Sequence, residues 1–467
     1  MEEDLKDKLF NEKKIGWEGM SEEDTKKIFE FADKYMIYLN NAKIEREFIE
    51  KAKQIAEQKG FKDIMTVENL KQGDRVFYVN RGKSMFLAKI GSKRLEEGIN
   101  IVGAHVDSPR LDLKPNPLTE DTNLAYFKTH YYGGIKKYQW TAIPLSIHGV
   151  IVKPSGEKIK INIGEEDNDP IFTITDLLPH LAREQMEKKL KEGVEGEDLS
   201  LLVGSIPYEA KKETQKVKMN ILNLLNKKYG ITEIDFTSSE LEVVPAFKAK
   251  TLGLDESMVA AYGQDDKVCA YTAFTAMMEL ENEEIGNTAV CILADKEEIG
   301  SMGNTGMESH VFEFFISELL NKKGENVPNA LDKIFCFSKM LSADVDGAYD
   351  PLYGYVCDKT NVGYIGKGMS VNKYTGARGK SGASDANAEY VAYVRNLFEK
   401  NNVKYQIAEM GKIDVGGGGT IAYILANKGV DVIDCGVPVL SMHSPYEVTS
   451  KFDIYAAYKA YKAFYKD

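Results

Sequence analysis

The stretch Ala289-Val290-Cys291-Ile292-Leu293-Ala294-Asp295-Lys296-Glu297-Glu298 decides the fold class. Its first six residues are an unbroken apolar run that reads as a buried strand, and the run ends in an acidic cluster. The same grammar recurs along the chain. Ile99-Asn100-Ile101-Val102 leads into Ala104-His105-Val106-Asp107, and the segment Ile334 to Leu341 leads into Ser342-Ala343-Asp344-Val345-Asp346. Val430-Asp431-Val432-Ile433-Asp434 and Val437-Pro438-Val439-Leu440 lead into Ser441-Met442-His443-Ser444. Gln264-Asp265-Asp266-Lys267 is the fifth such cluster. Strands separated by helical segments imply an α/β fold, a mostly parallel sheet with helices on both faces. Ligand sites in such sheets lie at the carboxyl ends of the strands, where these clusters are expected to fall.

Before this pattern, residues 21–58 carry apolar residues at helical spacing, with Ser21-Glu22-Glu23-Asp24 as a capped start. Phe77-Tyr78-Val79 and Met85-Phe86-Leu87-Ala88 read as strands. From about 110 to 240 the texture changes. Pro115 and Pro117 break the chain, and residues 145–152 and 159–163 alternate around Pro154-Ser155-Gly156-Glu157, the mark of an antiparallel hairpin. A lysine- and glutamate-rich helical stretch is expected at 181–192. The chain therefore divides into a discontinuous domain, 1–109 and 241–467, and an inserted β-rich domain, 110–240.

Length and composition fit a globular protein of two or three domains. A formal charge of −12 argues against nonspecific nucleic-acid binding. No run approaches the roughly 20 apolar residues of a membrane span. The charged start, Met1 to Lys6, lacks the apolar core of a signal peptide. The five cysteines are odd in number, form no Cys-x-x-Cys pair and sit partly inside apolar runs. They read as buried free thiols in a reducing cytoplasm.

Taken singly, each cluster has a plain structural reading. A Glu-Glu pair is usually solvated, an Asp-Asp pair usually starts a helix, and a lone histidine is more often structural than a ligand. His105-Val106-Asp107 is more specific, because the carboxylate can accept the far ring N–H and fix the tautomer of a metal ligand. Only six histidines occur, and two stand at such strand ends. Together the clusters supply two histidines, several carboxylates and a spare carboxylate to act as base, the set that a pair of hydrolytic metal ions requires. His148, His180 and His310 read as structural. Gly416-Gly417-Gly418-Gly419-Thr420 lacks the Gly-Lys-Ser/Thr ending of a phosphate loop and reads as a tight turn letting substrate approach the backbone. No Gly-x-Ser-x-Gly elbow occurs.

In these motifs, with Gly103 through Pro109 and Asp295 through Ser301 in full, the chain resembles the aspartyl aminopeptidase family of dinuclear metallopeptidases nearly end to end. The resemblance implies that His105 and Asp344 bind one metal ion, that Glu298 and His443 bind the other, and that Asp265 bridges them. It makes Glu297 the general base and Asp107 the residue orienting His105, and it implies a cis peptide bond between Asp265 and Asp266. The implied cofactor is two divalent ions per chain, zinc first, with manganese or cobalt able to share such ligands. The implied reaction is removal of the N-terminal residue, acidic by the family's name, from short peptides by a bridging hydroxide. A homo-oligomer is also implied, built from dimers joined through the inserted domain and closing into a dodecamer, with Gly133-Gly134 and Trp140 near the subunit contact.

Two segments depart from the family. Tyr138 stands where many members carry a histidine before Trp140, and the family's Asn-x-x-Gln-Arg-Tyr stretch is replaced within Lys373 to Ser384. Lys136, Lys137, Arg378 and Lys380 remain as cations able to meet a substrate carboxylate. The candidate substrate contacts are therefore Lys137, Tyr138, Lys380 and Gly417. Two other readings stay open at this point. One is a different dinuclear amidohydrolase, such as a carboxypeptidase or deacylase, and the other is a non-catalytic shell-forming protein.

Overall fold

The computed structural model of the protein describes residues 5, 9–10, 14–210 and 213–467, so the charged start lies, apart from Leu5, outside the described residues. The strands of the large sheet are, in chain order, β1 (Lys62–Asp63), β2 (Arg75–Asn80), β3 (Ser84–Lys89), β4 (Ile99–His105), β5 (Thr288–Ala294), β6 (Lys339–Ser342), β7 (Met369–Asn372), β8 (Tyr405–Ala408) and β9 (Asp431–Gly436). They lie in the spatial order β1-β2-β3-β5-β4-β6-β9-β7-β8. The apolar run at 289–294 is unbroken because both faces of β5 are covered. Cys291 and Leu293 enter one hydrophobic cluster, whereas Val290, Ile292 and Ala294 enter the other.

Helices α1 (Glu22–Leu39), α2 (Glu45–Gln58), α3 (Gln264–Met278), α6 (Ala388–Lys400) and α7 (Lys451–Lys466) pack into the first cluster. Helices α4 (Val311–Lys323) and α5 (Ala330–Phe337) pack into the second. The Ser21 hydroxyl caps α1 by accepting the Asp24 N–H at 3.1 Å.

The sheet is mixed, with five of its eight pairings parallel, the outer pairs β1–β2 and β7–β8 among them. The central pairings β5–β4, β4–β6 and β6–β9 are parallel. Pairings β2–β3, β3–β5 and β9–β7 are antiparallel. The β2–β3 reversal follows from a tight turn in which Arg81 and Gly82 both take positive φ, 54° and 72°. The segment 334–341 also divides: Ile334 and Phe335 belong to α5, and the strand starts only at Lys339.

Contact density separates the chain into two units, one of residues 1–107, 249–442 and 447–467, and one of residues 108–248 and 443–446. The second unit holds a six-stranded sheet in which every pairing is antiparallel. Its strand Ser239–Pro245 crosses residue 240 and pairs with Leu145–Val152 and Arg110–Asp121, which places residues up to Lys248 in this unit. Pro115 and Pro117 do not end a strand. They sit inside Arg110–Asp121, where the register with its neighbour shifts between Leu113 and Leu118, a bulge that needs no ladder N–H from either proline. The helix expected at 181–192 is reduced to Arg183–Glu187, which has no buried residue to anchor further turns. Trp140 is fully buried. Cys269, Cys291 and Cys435 are buried free thiols, whereas Cys336 is exposed and Cys357 half-buried.

Candidate metal centre

Strands β5, β4 and β6 are parallel neighbours, so their carboxyl ends lie along one edge of the sheet. His105 is the last residue of β4 and pairs in register with Ala294, the last residue of β5. Beyond β5 the chain turns through Lys296, at φ 67°, into a single 3-10 turn, Glu297–Ile299. Asp344 lies two residues beyond β6. Sequence order thus becomes spatial convergence through the parallel register alone.

Asp265 arrives by another route. It follows Met258–Ala261, a strand of a separate three-stranded antiparallel sheet, and lies in the first turn of α3. It therefore does not stand at a strand end of the parallel sheet, as the sequence pattern implied. Glu447, buried on the neighbouring strand, accepts the Asp265 N–H at 3.0 Å and, through its carbonyl, the Gln264 side-chain N–H at 2.7 Å. The Asp265–Asp266 peptide bond is cis. Asp266 Oδ2 accepts the backbone N–H of His105 at 3.2 Å. Glu447 carries no local signal in the sequence, where it reads as an ordinary polar residue.

The His105 ring is buried, and its two nitrogens have different surroundings. Nδ1 lies 3.1 Å from the Asp107 carbonyl and 3.3 Å from Asp107 Oδ1, which makes it the N–H donor. Nε2 faces Asp265 Oδ1 at 3.3 Å, Glu297 Oε2 at 3.8 Å and Asp344 Oδ1 at 3.8 Å. Three carboxylates converging on one ring nitrogen concentrate negative charge, an arrangement that calls for a positive charge among them. Two sets, His105 with Glu297 and Asp344, and His105 with Asp265 and Glu298, each place their ligand atoms within 4.8 Å of one another. Imidazole nitrogen with several carboxylate oxygens is a donor set that suits zinc.

Asp107 also shapes the acidic turn. Its Oδ1 and Oδ2 accept the backbone N–H groups of Glu297 and Glu298, both at 3.2 Å. One carboxylate thereby fixes a histidine tautomer and the first turn of the Glu-Glu pair. Burial pushes the Glu297 carboxyl up to about 8; His105 opposes the rise, and the carboxylates of Asp344, Asp107 and Asp265 add to it. Burial alone would lower the His105 pKa, but hydrogen bonds to Asp107, Asp265 and Asp344 hold it well above the ordinary range.

The remaining candidates are described within their own units. His443 belongs to the second unit, where its Nδ1 lies 2.9 Å from the Gly134 carbonyl. Lys137 and Tyr138 lie in the 3-10 turn Lys137–Trp140 of the same unit, and Lys137 lines a cavity there with Lys188 and Lys191. Lys380 and Gly417 belong to the first unit and line a cavity of about 240 Å³ with Tyr374, Arg378, Glu409 and Lys412. Lys380 Nζ pairs with Asp385 at 3.0 Å and lies 3.9 Å from the centre of the Tyr374 ring. Gly417 takes φ 132°, and a Cβ there would lie 2.0 Å from the Gly376 carbonyl oxygen. The close approach this glycine permits is to the neighbouring loop.

Residues 38–465 match the family model described as aminopeptidase I zinc metalloprotease (M18). A probable M18 family aminopeptidase 1 from Clostridium acetobutylicum is 51% identical over 460 residues, 98% of each chain. The crystal structure of an M18 aminopeptidase from Thermotoga maritima superposes with a TM-score of 0.94 at 44% identity, covering 98% of this chain and all of that one. The mApe1 dodecamer of Saccharomyces cerevisiae, at 21% identity and a TM-score of 0.76, covers 93% of this chain and 96% of its own and shares the fold.

Proposed function

Since the chain belongs to the M18 family of aminopeptidase I zinc metalloproteases and is a metal-dependent aminopeptidase, we propose how its own residues divide the work. Two divalent ions would be held by His105, Asp265, Glu298, Asp344 and His443, with Asp265 common to both sets. The observation that carries this reading is the His105 Nε2 atom, turned toward carboxylates from three separate elements. His443 enters through its motif, Ser441-Met442-His443-Ser444, and through its ring. Donation from Nδ1 to the Gly134 carbonyl makes Nε2 the basic nitrogen, the tautomer a ligand needs.

Bound zinc would polarise the scissile carbonyl and lower the pKa of water from about 15.7 toward about 7. Glu297 is the general base. It takes the proton from the attacking water and delivers it to the departing amine. A carboxylate positioned at the reacting atoms can take the first proton and return it to the leaving group. Asp107 acts through others, orienting His105 and fixing the turn that carries Glu297 and Glu298. A free substrate α-amine, recognised by the metal or the carboxylates, restricts cleavage to the first residue. Lys380 and Arg378, at one cavity, are the cations proposed to favour an acidic side chain.

The inserted unit is proposed as the contact between copies in a homo-oligomer. It exposes Leu177, Leu178, Leu181, Met186 and Leu190 within one short segment.

The direct test is a panel of aminoacyl and N-acetyl-aminoacyl substrates offered to metal-stripped protein with zinc, manganese or cobalt added back. Hydrolysis should return only with a divalent ion and only for substrates with a free amine. Equal cleavage of the N-acetylated substrates would contradict the proposed recognition.

A further inference from the structure

Behind the acidic turn lies a buried ionic cluster that neither the ligand set nor the base uses. Asp295, the residue that follows β5, is fully buried. So is Glu45, the first residue of α2. The ammonium of Lys83 lies between them, 2.8 Å from Glu45 Oε1 and 3.7 Å from Asp295 Oδ2. Lys83 comes from the tight β2–β3 turn and is itself buried. Two carboxylates of the interior share a cation that arrives from a hairpin tip, and such an arrangement is costly to bury unless its geometry is good.

The cluster grips the segment 295–306, on which Glu297 and Glu298 ride. Thr305, on the returning leg of that segment, donates its hydroxyl to Asp295 Oδ2 at 2.6 Å, and Asp295 also forms a backbone bridge with Gly306. The same hairpin makes a second contact: the Asn80 side-chain amide donates to the Asn304 carbonyl at 2.8 Å. The loop is closed on itself by the Ser301 N–H to the Lys296 carbonyl, 2.7 Å. Asp107 holds the acidic turn at its N–H groups, and the hairpin holds the two legs of the segment at its root.

We infer that Lys83 is a positioning residue for the metal centre: through Asp295 it sets the placement of the turn that presents Glu297 and Glu298. Thr305 serves the same end from the returning leg. The inference rests on the proposed role of Glu298 as a ligand. Losing the ammonium takes away a cation that two buried carboxylates face. Asp295 is then left facing Glu45 without the cation between them, and Glu298 sits three residues on. The expected signature is a change in metal affinity and in kcat, with KM for the peptide little altered, because the substrate's own contacts are untouched.

The experiment uses the full-length protein and two substitutions, Lys83→Met and Thr305→Val, the second nearly isosteric and replacing only a hydroxyl. Zinc affinity is measured by competition with a chromophoric chelator, beside kcat and KM, and the folded fraction by circular dichroism. Lys83→Met should weaken one of the two zinc sites about 10- to 100-fold and lower kcat by a similar factor at near-constant KM. Thr305→Val should act in the same direction and less strongly. Wild-type affinity for both ions in folded Lys83→Met protein would overturn the inference. Should Lys83→Met fail to fold, unchanged affinity and kcat in Thr305→Val would overturn it alone. A wild-type protein that binds no zinc would instead overturn the ligand assignment, and this inference with it.

Discussion

The two units of this chain differ in how their strands are joined, and that difference decides where chemistry can gather. In the first unit, β5, β4 and β6 run parallel, so each returns to the same edge before the chain leaves the sheet. His105, Glu297, Glu298 and Asp344 are thereby delivered to one place from positions spread over 240 residues of sequence. In the second unit every pairing of the six-stranded sheet is antiparallel, so successive strands end at opposite edges. Its sheet also shows a solvated face, as in Lys158–Ile163, where exposed and more buried residues alternate. The first unit gathers four of the five proposed ligands, His105, Asp265, Glu298 and Asp344, whereas the fifth, His443, belongs to the second.

The comparison can be broken most sharply at Glu297. Glu297→Gln should lower kcat by about 10²- to 10⁴-fold while the zinc content, read by mass spectrometry under native conditions, stays at the wild-type value. Activity within a few fold of wild type would remove Glu297 from the role of base. A smaller effect is expected one step back. Asp107→Ala takes away the acceptor for the Glu297 and Glu298 N–H groups and the partner of His105 Nδ1. Zinc affinity should fall about 10- to 100-fold, and a chelator titration checks it.

The second unit should respond in the opposite manner. Ile147 is buried on the strand Leu145–Val152, opposite Val243. Ile147→Ala should cost about 2–5 kcal/mol in urea denaturation, yet leave the zinc content of the folded protein unchanged. Smaller still is the expected effect of Leu181→Ser with Met186→Ser on stability, within about 0.5 kcal/mol, because both side chains are exposed. Sedimentation velocity should nevertheless show weaker self-association for that pair. Unaltered sedimentation would move the subunit contact elsewhere.

How much of this was legible in the sequence follows from the same contrast. Apolar runs closed by His105, Glu297 and Asp344 could be read because a strand buried on both faces leaves an uninterrupted signal. Asp265 was legible as a residue, through its motif, but not as a position, because its strand belongs to a small antiparallel sheet. Glu447, Lys83 and Thr305 were invisible. Each is a single polar residue whose partner lies far away in sequence, and nothing local distinguishes it from a solvated one. In the second unit, Pro115 and Pro117 suggested a break because sequence cannot tell a bulge from a strand end. The lysine- and glutamate-rich stretch suggested a helix because propensity is read locally, whereas a helix in water is held by packing.

The central claim is that one carboxylate, Asp265, joins two metal sites built by separate elements. The measurement that tests it most directly is the metal content of Asp265→Ala, by elemental analysis after gel filtration, beside wild type. Both ions should be lost together. Retention of two tightly bound ions per chain would contradict the shared ligand and the centre built around it.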